Sequence, residues 1–176
     1  MYRAVPQREG LCDDPRMPDD PNVFDPPAWE RELGAARGTR LGAAAGAREL
    51  GCSIFELDPG GQAAPYHVHH GNEELLIVLD GTLELRTPAG MREVAKGALV
   101  AFPAGPDGAH RLRNTSDAPA RYALISTMRF PDIAEQIDTG TVLPIKAPAD
   151  GWAFPKDAAG DYMALTIEAI RADPGA

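Results

Sequence analysis

The sequence predicts an all-β protein, an antiparallel sandwich or barrel, with an extended N-terminal arm and a short mixed C-terminal segment. Three observations carry that expectation. Between Ala47 and Phe130 the apolar runs are short and separated by turn signals, as in ELGCSIFELD, PG, EELLIVLD, G, TLELRT, PAG, MREVA, KG and ALVAFP. The 176 residues include 17 Pro and 18 Gly with no collagen-like period, which favours many turns. Long helical patterns are scarce, and several short, closely spaced strands belong to a closed or two-layered antiparallel architecture.

Residues 1–46 read as the arm. Pro6, Pro15, Pro18, Pro21, Pro26 and Pro27 stand among several Asp, a composition that breaks helices and central strands alike. Such an arm is commonly tied down over a barrel or a partner subunit. Ala28 to Ala36 is expected to form a helical turn or two.

Residues 47–130 are expected to form the barrel. Leu83 and Leu85 alternate with Thr82, Glu84 and Arg86, so this strand has one buried and one solvated face. LLIVL at 75–79 is apolar on both faces, which places it centrally or at a subunit interface, and a homodimer is expected on that ground. AHRLRN at 109–114 and RYALISTMRF at 121–130 are further strands, split by the turn TSDAP. The strand pattern then stops. Residues 131–176 are expected to pack on the barrel as a C-terminal extension, in which DYMALTIEAIRAD reads equally as a short helix or a strand.

Composition excludes several functions. A formal charge of −9 and a pI near 4.8 repel phosphate backbones and anionic membrane surfaces, so nucleic acid is not expected as a partner. No stretch approaches the roughly 18–20 apolar residues of a membrane span, and the first twenty residues lack the apolar core of a signal peptide. A cytoplasmic protein is expected. Cys12 and Cys52 form no CxxC and no disulfide framework, and both are expected to be reduced, with Cys52 a small core residue.

Function is sought in the histidines. All four, His67, His69, His70 and His110, lie within one quarter of the chain, three of them in the tetrad HVHH. On a strand, His67 and His69 project to the same face and His70 to the other, so the pair can chelate one ion. Glu74 follows across a turn at Gly71 and Asn72, which can bring it to the same interior. Two imidazoles and a carboxylate suit a divalent transition metal. Glu73 and His70 are expected to face solvent or the rim.

These residues resemble the first motif of the cupin superfamily: Gly61, five residues, His67-x-His69, four residues, Glu74, six residues, Gly81. The second motif of that superfamily is matched in type and order by Gly97, Pro103, Gly105, His110 and Asn114. One departure is the four residues PDGA between Gly105 and His110, where the pattern has two. The Asn keeps its distance from the His, so the extra residues are expected to bulge in the turn and leave His110 on its strand. The fifteen residues TLELRTPAGMREVAK between the motifs are close to the minimal spacing of small bacterial cupins.

The resemblance implies a cupin double-stranded β-helix, or jelly-roll barrel, in a small single-domain protein. It implies His67, His69, Glu74 and His110 as ligands of one divalent metal ion, with Mn, Fe, Ni, Zn and Cu all compatible. A metal with open positions supports dioxygenase, isomerase or decarboxylase chemistry on a small molecule. The motif does not place a general acid or base. The competing class is a non-catalytic small-molecule-binding cupin module attached to a regulator, and no helix-turn-helix is visible before residue 47. Leu76, Val78, Leu83, Leu85, Leu112 and Tyr122, or their immediate neighbours on the alternate face, are expected to line the barrel, Arg111 and Arg113 to face away, and no Arg or Lys cluster stands ready to grip a phosphate.

Overall fold

The barrel of the computed structural model, which describes residues 20–26 and 28–172, is assembled from three antiparallel sheets. Its strands are β1 (Arg31–Glu32), β2 (Ala36–Arg40), β3 (Leu50–Leu57), β4 (His67–His69), β5 (Glu74–Asp80), β6 (Thr82–Thr87) and β7 (Gly90–Ala95). They continue with β8 (Leu99–Phe102), β9 (Arg111–Arg113), β10 (Ala120–Thr127), β11 (Asp132–Gln136), β12 (Thr141–Ala147), β13 (Asp150–Gly151) and β14 (Phe154–Pro155). A helix, α1 (Tyr162–Ala172), ends the described chain. The sheets run in the orders β1-β2-β3-β10-β5-β8, β7-β6-β9 and β13-β12-β11-β4, with β14 also paired to β12.

Alternation along the strands builds two cores. Leu57, Leu76, Val78 and Tyr122 of the six-stranded sheet meet Leu83, Leu85, Val94 and Leu112 of the three-stranded sheet inside the barrel. Each such buried aliphatic side chain contributes about 1.5–3 kcal/mol relative to exposure. The second face of β5 is apolar for a different reason. Leu79 and Ile77 pack with Ile54, Ala123 and Leu41 beneath Val23 and Trp29, so residues before β1 cover the outside of the sheet. That segment is fastened by the Arg121 Nη1, which donates to the Phe24 carbonyl at 2.5 Å while the same guanidinium pairs with Glu56.

The N-terminal region differs from expectation. Residues 28–36 form no helical turn; β1 folds back on β2 with Arg31 opposite Gly38, and β2 pairs with β3 along five residues. Hydrogen bonding to the sheet overrides the local helix propensity of a segment rich in Ala and Glu. Strand pairing also continues past residue 130, because β11 pairs with the histidine-bearing β4 and with β12. The ambiguous DYMALTIEAIRAD segment resolves as α1. Cys52 is half-buried against the outer core. Cys12 and residues 1–19 lie outside the described residues. Among the described residues no helix is long and apolar enough to cross a membrane.

Candidate metal centre

The His-x-His pair sits on the short strand β4, where Val68 turns the opposite way into a buried cluster with Tyr66 and Ala109. Alternation therefore aims His67 and His69 together, as read from sequence. One edge of β4 pairs with β11, and the other meets His110 through reciprocal backbone bonds: His67 N–H to His110 O at 3.0 Å and His110 N–H to His67 O at 2.8 Å. The four residues PDGA do bulge. They form a 3₁₀ turn at Pro106–Gly108, with Gly105 at φ 90°. Gly108 has no room for a side chain, since an added Cβ would lie 1.8 Å from the Pro103 carbonyl oxygen.

Glu74 opens β5, flanked by Phe102 of β8 and Ser126 of β10. The preceding turn is locked by Asn72, whose Nδ2 donates to the Arg129 carbonyl at 3.0 Å and whose Oδ1 accepts from Arg129 N–H at 2.8 Å and Thr127 Oγ1 at 3.1 Å. Glu73 and His70 are exposed, and His70 Nε2 lies 3.0 Å from Glu135 Oε1 on the surface. Arg111 pairs with Glu84, away from the histidines.

Hydrogen bonding fixes the tautomers. The Nδ1 of His67 lies 2.9 Å from the Pro65 carbonyl, that of His110 2.9 Å from the Gly108 carbonyl, and that of His69 2.6 Å from Asp132 Oδ2. Each partner only accepts, so each Nδ1 donates its proton and each Nε2 keeps its lone pair. The ligating atoms of His67, His69 and Glu74 lie within 4.8 Å of one another. His110 joins them through Glu74, its Nε2 being 3.4 Å from Oε2, while His69 Nε2 is 3.9 Å from the same oxygen.

Glu74 Oε1 accepts from Ser126 Oγ at 2.7 Å, but its buried Oε2 accepts no hydrogen bond from any described group. A buried carboxylate oxygen without a partner costs several kcal/mol or more by order of magnitude. It also faces the lone pair of His110 Nε2, and two acceptors repel unless a cation stands between them. Burial first, then the neighbouring His67, lowers His110 to a pKa of about 4, and burial followed by His69 lowers His67. Neither ring carries a proton to the carboxylate at neutral pH. The arrangement fits a metal ion by the chemistry of its donors.

His110 is held by stacking on Phe102, with ring centroids 3.8 Å apart and planes 6° from parallel. His67 and His110 open onto a cavity of about 230 Å³, walled by Phe55, Tyr122 and Leu124 and bordered by Arg31. Burial pushes the Tyr122 phenol well above its ordinary range, so it stays neutral. A wider hollow of about 620 Å³ borders Arg40, Ser53 and Ser126 but none of the histidines. Of these two cavities, the smaller reaches two of the imidazoles.

Two supporting residues escape a motif reading. Asp132 is buried and bonds both His69 Nδ1 and the Gly71 N–H, the latter at 2.7 Å. Arg31 of β1 stands exposed at the border of the cavity. Neither stands near the motifs in sequence, and only strand pairing brings them in.

An antiparallel barrel with inward-facing imidazoles and a carboxylate defines a β-barrel with a candidate metal centre. Residues 53–126 match the family model described as the cupin domain, and the chain carries a small cupin-family domain with the double-stranded β-helix fold. A solved structure described as a sugar phosphate isomerase of the cupin superfamily, from Silicibacter pomeroyi, is 27% identical with a TM-score of 0.65, over 74% of this chain and 82% of that one. A structure from Acidithiobacillus ferrooxidans shares the fold at 23% identity and a TM-score of 0.64, over 72% of this chain and 80% of that one. No curated protein sequence matches the chain.

Proposed function

We propose that the protein is a metal-dependent enzyme acting on a small molecule, with His67, His69, Glu74 and His110 holding one divalent cation. The observation that carries this is the buried Glu74 Oε2, which lacks a hydrogen-bond donor and faces imidazole Nε2 atoms at 3.4 and 3.9 Å. Among the reactions open to such a site, we take isomerisation of a hydroxy-carbonyl compound. The 27% identity to the Silicibacter pomeroyi protein described as a sugar phosphate isomerase supports that choice over oxygenase or decarboxylase chemistry.

Bound there, a divalent ion supplies Lewis acidity to adjacent hydroxyl and carbonyl oxygens. The chain's own residues do the rest. Pro65, Gly108 and Asp132 keep the three Nδ1 protons in place, so that the rings present Nε2 without reorganisation. Ser126 orients the carboxylate of Glu74. Phe55, Tyr122 and Leu124 exclude water around the ligand. The proposal includes a homodimer, supported by exposed Ile133 and Phe154 on the sheet that carries β4 and by exposed Trp152 between β13 and β14; light scattering is expected to give twice the 18.7 kDa chain mass.

The test is elemental analysis by plasma mass spectrometry on tag-free protein, beside a His67→Ala/His110→Ala double variant. Near-stoichiometric metal in the wild type and its loss in the variant support the reading. No metal in the wild type after reconstitution overturns it and leaves a non-catalytic barrel that binds small molecules.

A further inference from the structure

The cavity that reaches His67 and His110 is polar at its imidazole end and apolar along its walls, and it carries one charged side chain at its border, Arg31. Arg31 stands opposite Gly38 in the β1–β2 pair, and Gly38 lies against the Phe55 ring, where an added Cβ would come within 2.8 Å of the ring. The missing side chain at Gly38 leaves Phe55 its place in the wall beside Arg31. A second guanidinium, Arg40, borders a small gap with Arg31, Ser53 and Phe55. Arg40 is already bonded to Glu30 at 3.2 Å, whereas Arg31 forms no ion pair with a carboxylate among the described residues. A guanidinium keeps its charge at every physiological pH and offers paired N–H donors to an oxyanion.

We infer that Arg31 binds a terminal oxyanion of the substrate, a phosphate or a carboxylate, while the other end of the same molecule reaches the imidazoles. The inference rests on the metal-site reading proposed above. About 230 Å³ lies below the roughly 300–1,000 Å³ of a drug-sized site, so the ligand is a small metabolite with one anionic end and one hydroxylated or carbonyl end. No sequence motif announces this residue: Arg31 precedes His67 by 36 positions and sits in a segment whose texture suggests helix.

The experiment is calorimetric titration of the full chain with ribose 5-phosphate, ribonate and ribose, in wild type, Arg31→Ala and Arg31→Lys, each in metal-loaded and chelator-stripped form. Arg31 is exposed on a two-residue edge strand, and circular dichroism with metal analysis is expected to show an unchanged fold and metal content in both variants. The expected result is that one anionic probe binds at least tenfold more tightly than ribose. Arg31→Ala is expected to remove that preference and Arg31→Lys to restore part of it. Preference for ribose 5-phosphate assigns the anion as phosphate, and preference for ribonate assigns it as carboxylate. Equal binding of all three probes, or an anion preference that survives in Arg31→Ala, overturns the inference. Failure of the metal reading is separate: it shows as absent metal with the Arg31-dependent preference intact in the stripped protein.

Discussion

The Asp132 carboxylate accepts a 2.6 Å hydrogen bond from His69 Nδ1 across 63 residues of sequence, and its other oxygen caps the Gly71 N–H at 2.7 Å. Burial opposes its ionisation, but bonds from Asn72, His69 and the Gly71 amide outweigh that and hold its pKa below the usual carboxylate range. One buried anion therefore sets both the tautomer of His69 and the turn that leads to Glu74.

Removing the charge at that position while keeping its shape is expected to weaken the centre without unfolding the barrel. Supporting partners of metal-bound His are worth about 10–100-fold in metal affinity. Asp132→Asn is expected to lose metal affinity within that range, read by competition with a chromophoric chelator, while the far-ultraviolet dichroism stays that of the wild type. Wild-type affinity in Asp132→Asn would show that His69 needs no help to present Nε2.

The turn before His110 is the second point of leverage. With 1.8 Å between an added Cβ at Gly108 and the Pro103 carbonyl oxygen, Gly108→Ala must displace the turn whose carbonyl holds His110 Nδ1. Overpacking of this kind costs about 1–3 kcal/mol. A urea melt is expected to show that loss, accompanied by reduced metal content. Ala substituted at Gly105 tests a different property, the positive φ of 90°, and is expected to destabilise without a steric clash, as nothing lies within 4 Å of its added Cβ.

What the sequence conveys here is what local spacing can encode. The HVH tripeptide, Glu74 after its short turn and the alternation of Leu83 and Leu85 are neighbours along the chain, and strand geometry turns such spacing into position. Asp132 reaches His69, and Arg31 reaches the border of the neighbouring cavity, only because β11 pairs with β4 and β1 pairs with β2, contacts that no short window contains. Residues 28–36 misled for a related reason: Ala and Glu favour helix locally, and the sheet edge offered by β3 decides otherwise. β12 carries Pro144 opposite Ile133, a residue that argues against a strand when read alone. LLIVL suggested an interface, and its outer face is covered by Val23 and Trp29 of the same chain.

Acid sensitivity of the metal-free protein follows from the buried imidazoles. An unfolded His titrates near 6.5, whereas burial holds His110 at about 4 in the folded state and lowers His67 as well. Between those values the unfolded chain binds protons that the folded chain refuses, so stability falls as pH drops from about 6.5 toward 4 and is unaffected by these groups above that window. Melting temperature against pH, measured on chelator-stripped protein, is expected to show this decline. His110→Gln is expected to flatten it relative to wild type. Parallel curves for the two proteins would mean that His110 titrates normally in the fold.

Glu56 provides a carboxylate counterpart on the outside of the barrel. It is buried on β3 and receives Arg121 Nε at 3.0 Å, Arg121 Nη2 at 2.5 Å and the Arg37 guanidinium. Burial pushes its pKa up, and the two arginines more than reverse this, leaving it lowered. A lowered folded pKa means that the stabilisation is present above the unfolded value of about 4.3 and is lost as pH falls through the folded one. Arg37 is half-exposed, so solvent screens part of the interaction and Glu56→Gln is expected to cost about 1–2 kcal/mol at pH 7. The effect is also expected to spread, because Arg121 holds the Phe24 carbonyl with its remaining nitrogen. Hydrogen exchange should then rise at residues 20–26 and at the β2–β3 pairing in Glu56→Gln, while β6 and β9, on a separate sheet, keep wild-type protection. Increased exchange confined to Glu56 and its immediate neighbours would show that the N-terminal segment is held by Val23 and Trp29 packing on the outer core and not by this ion pair.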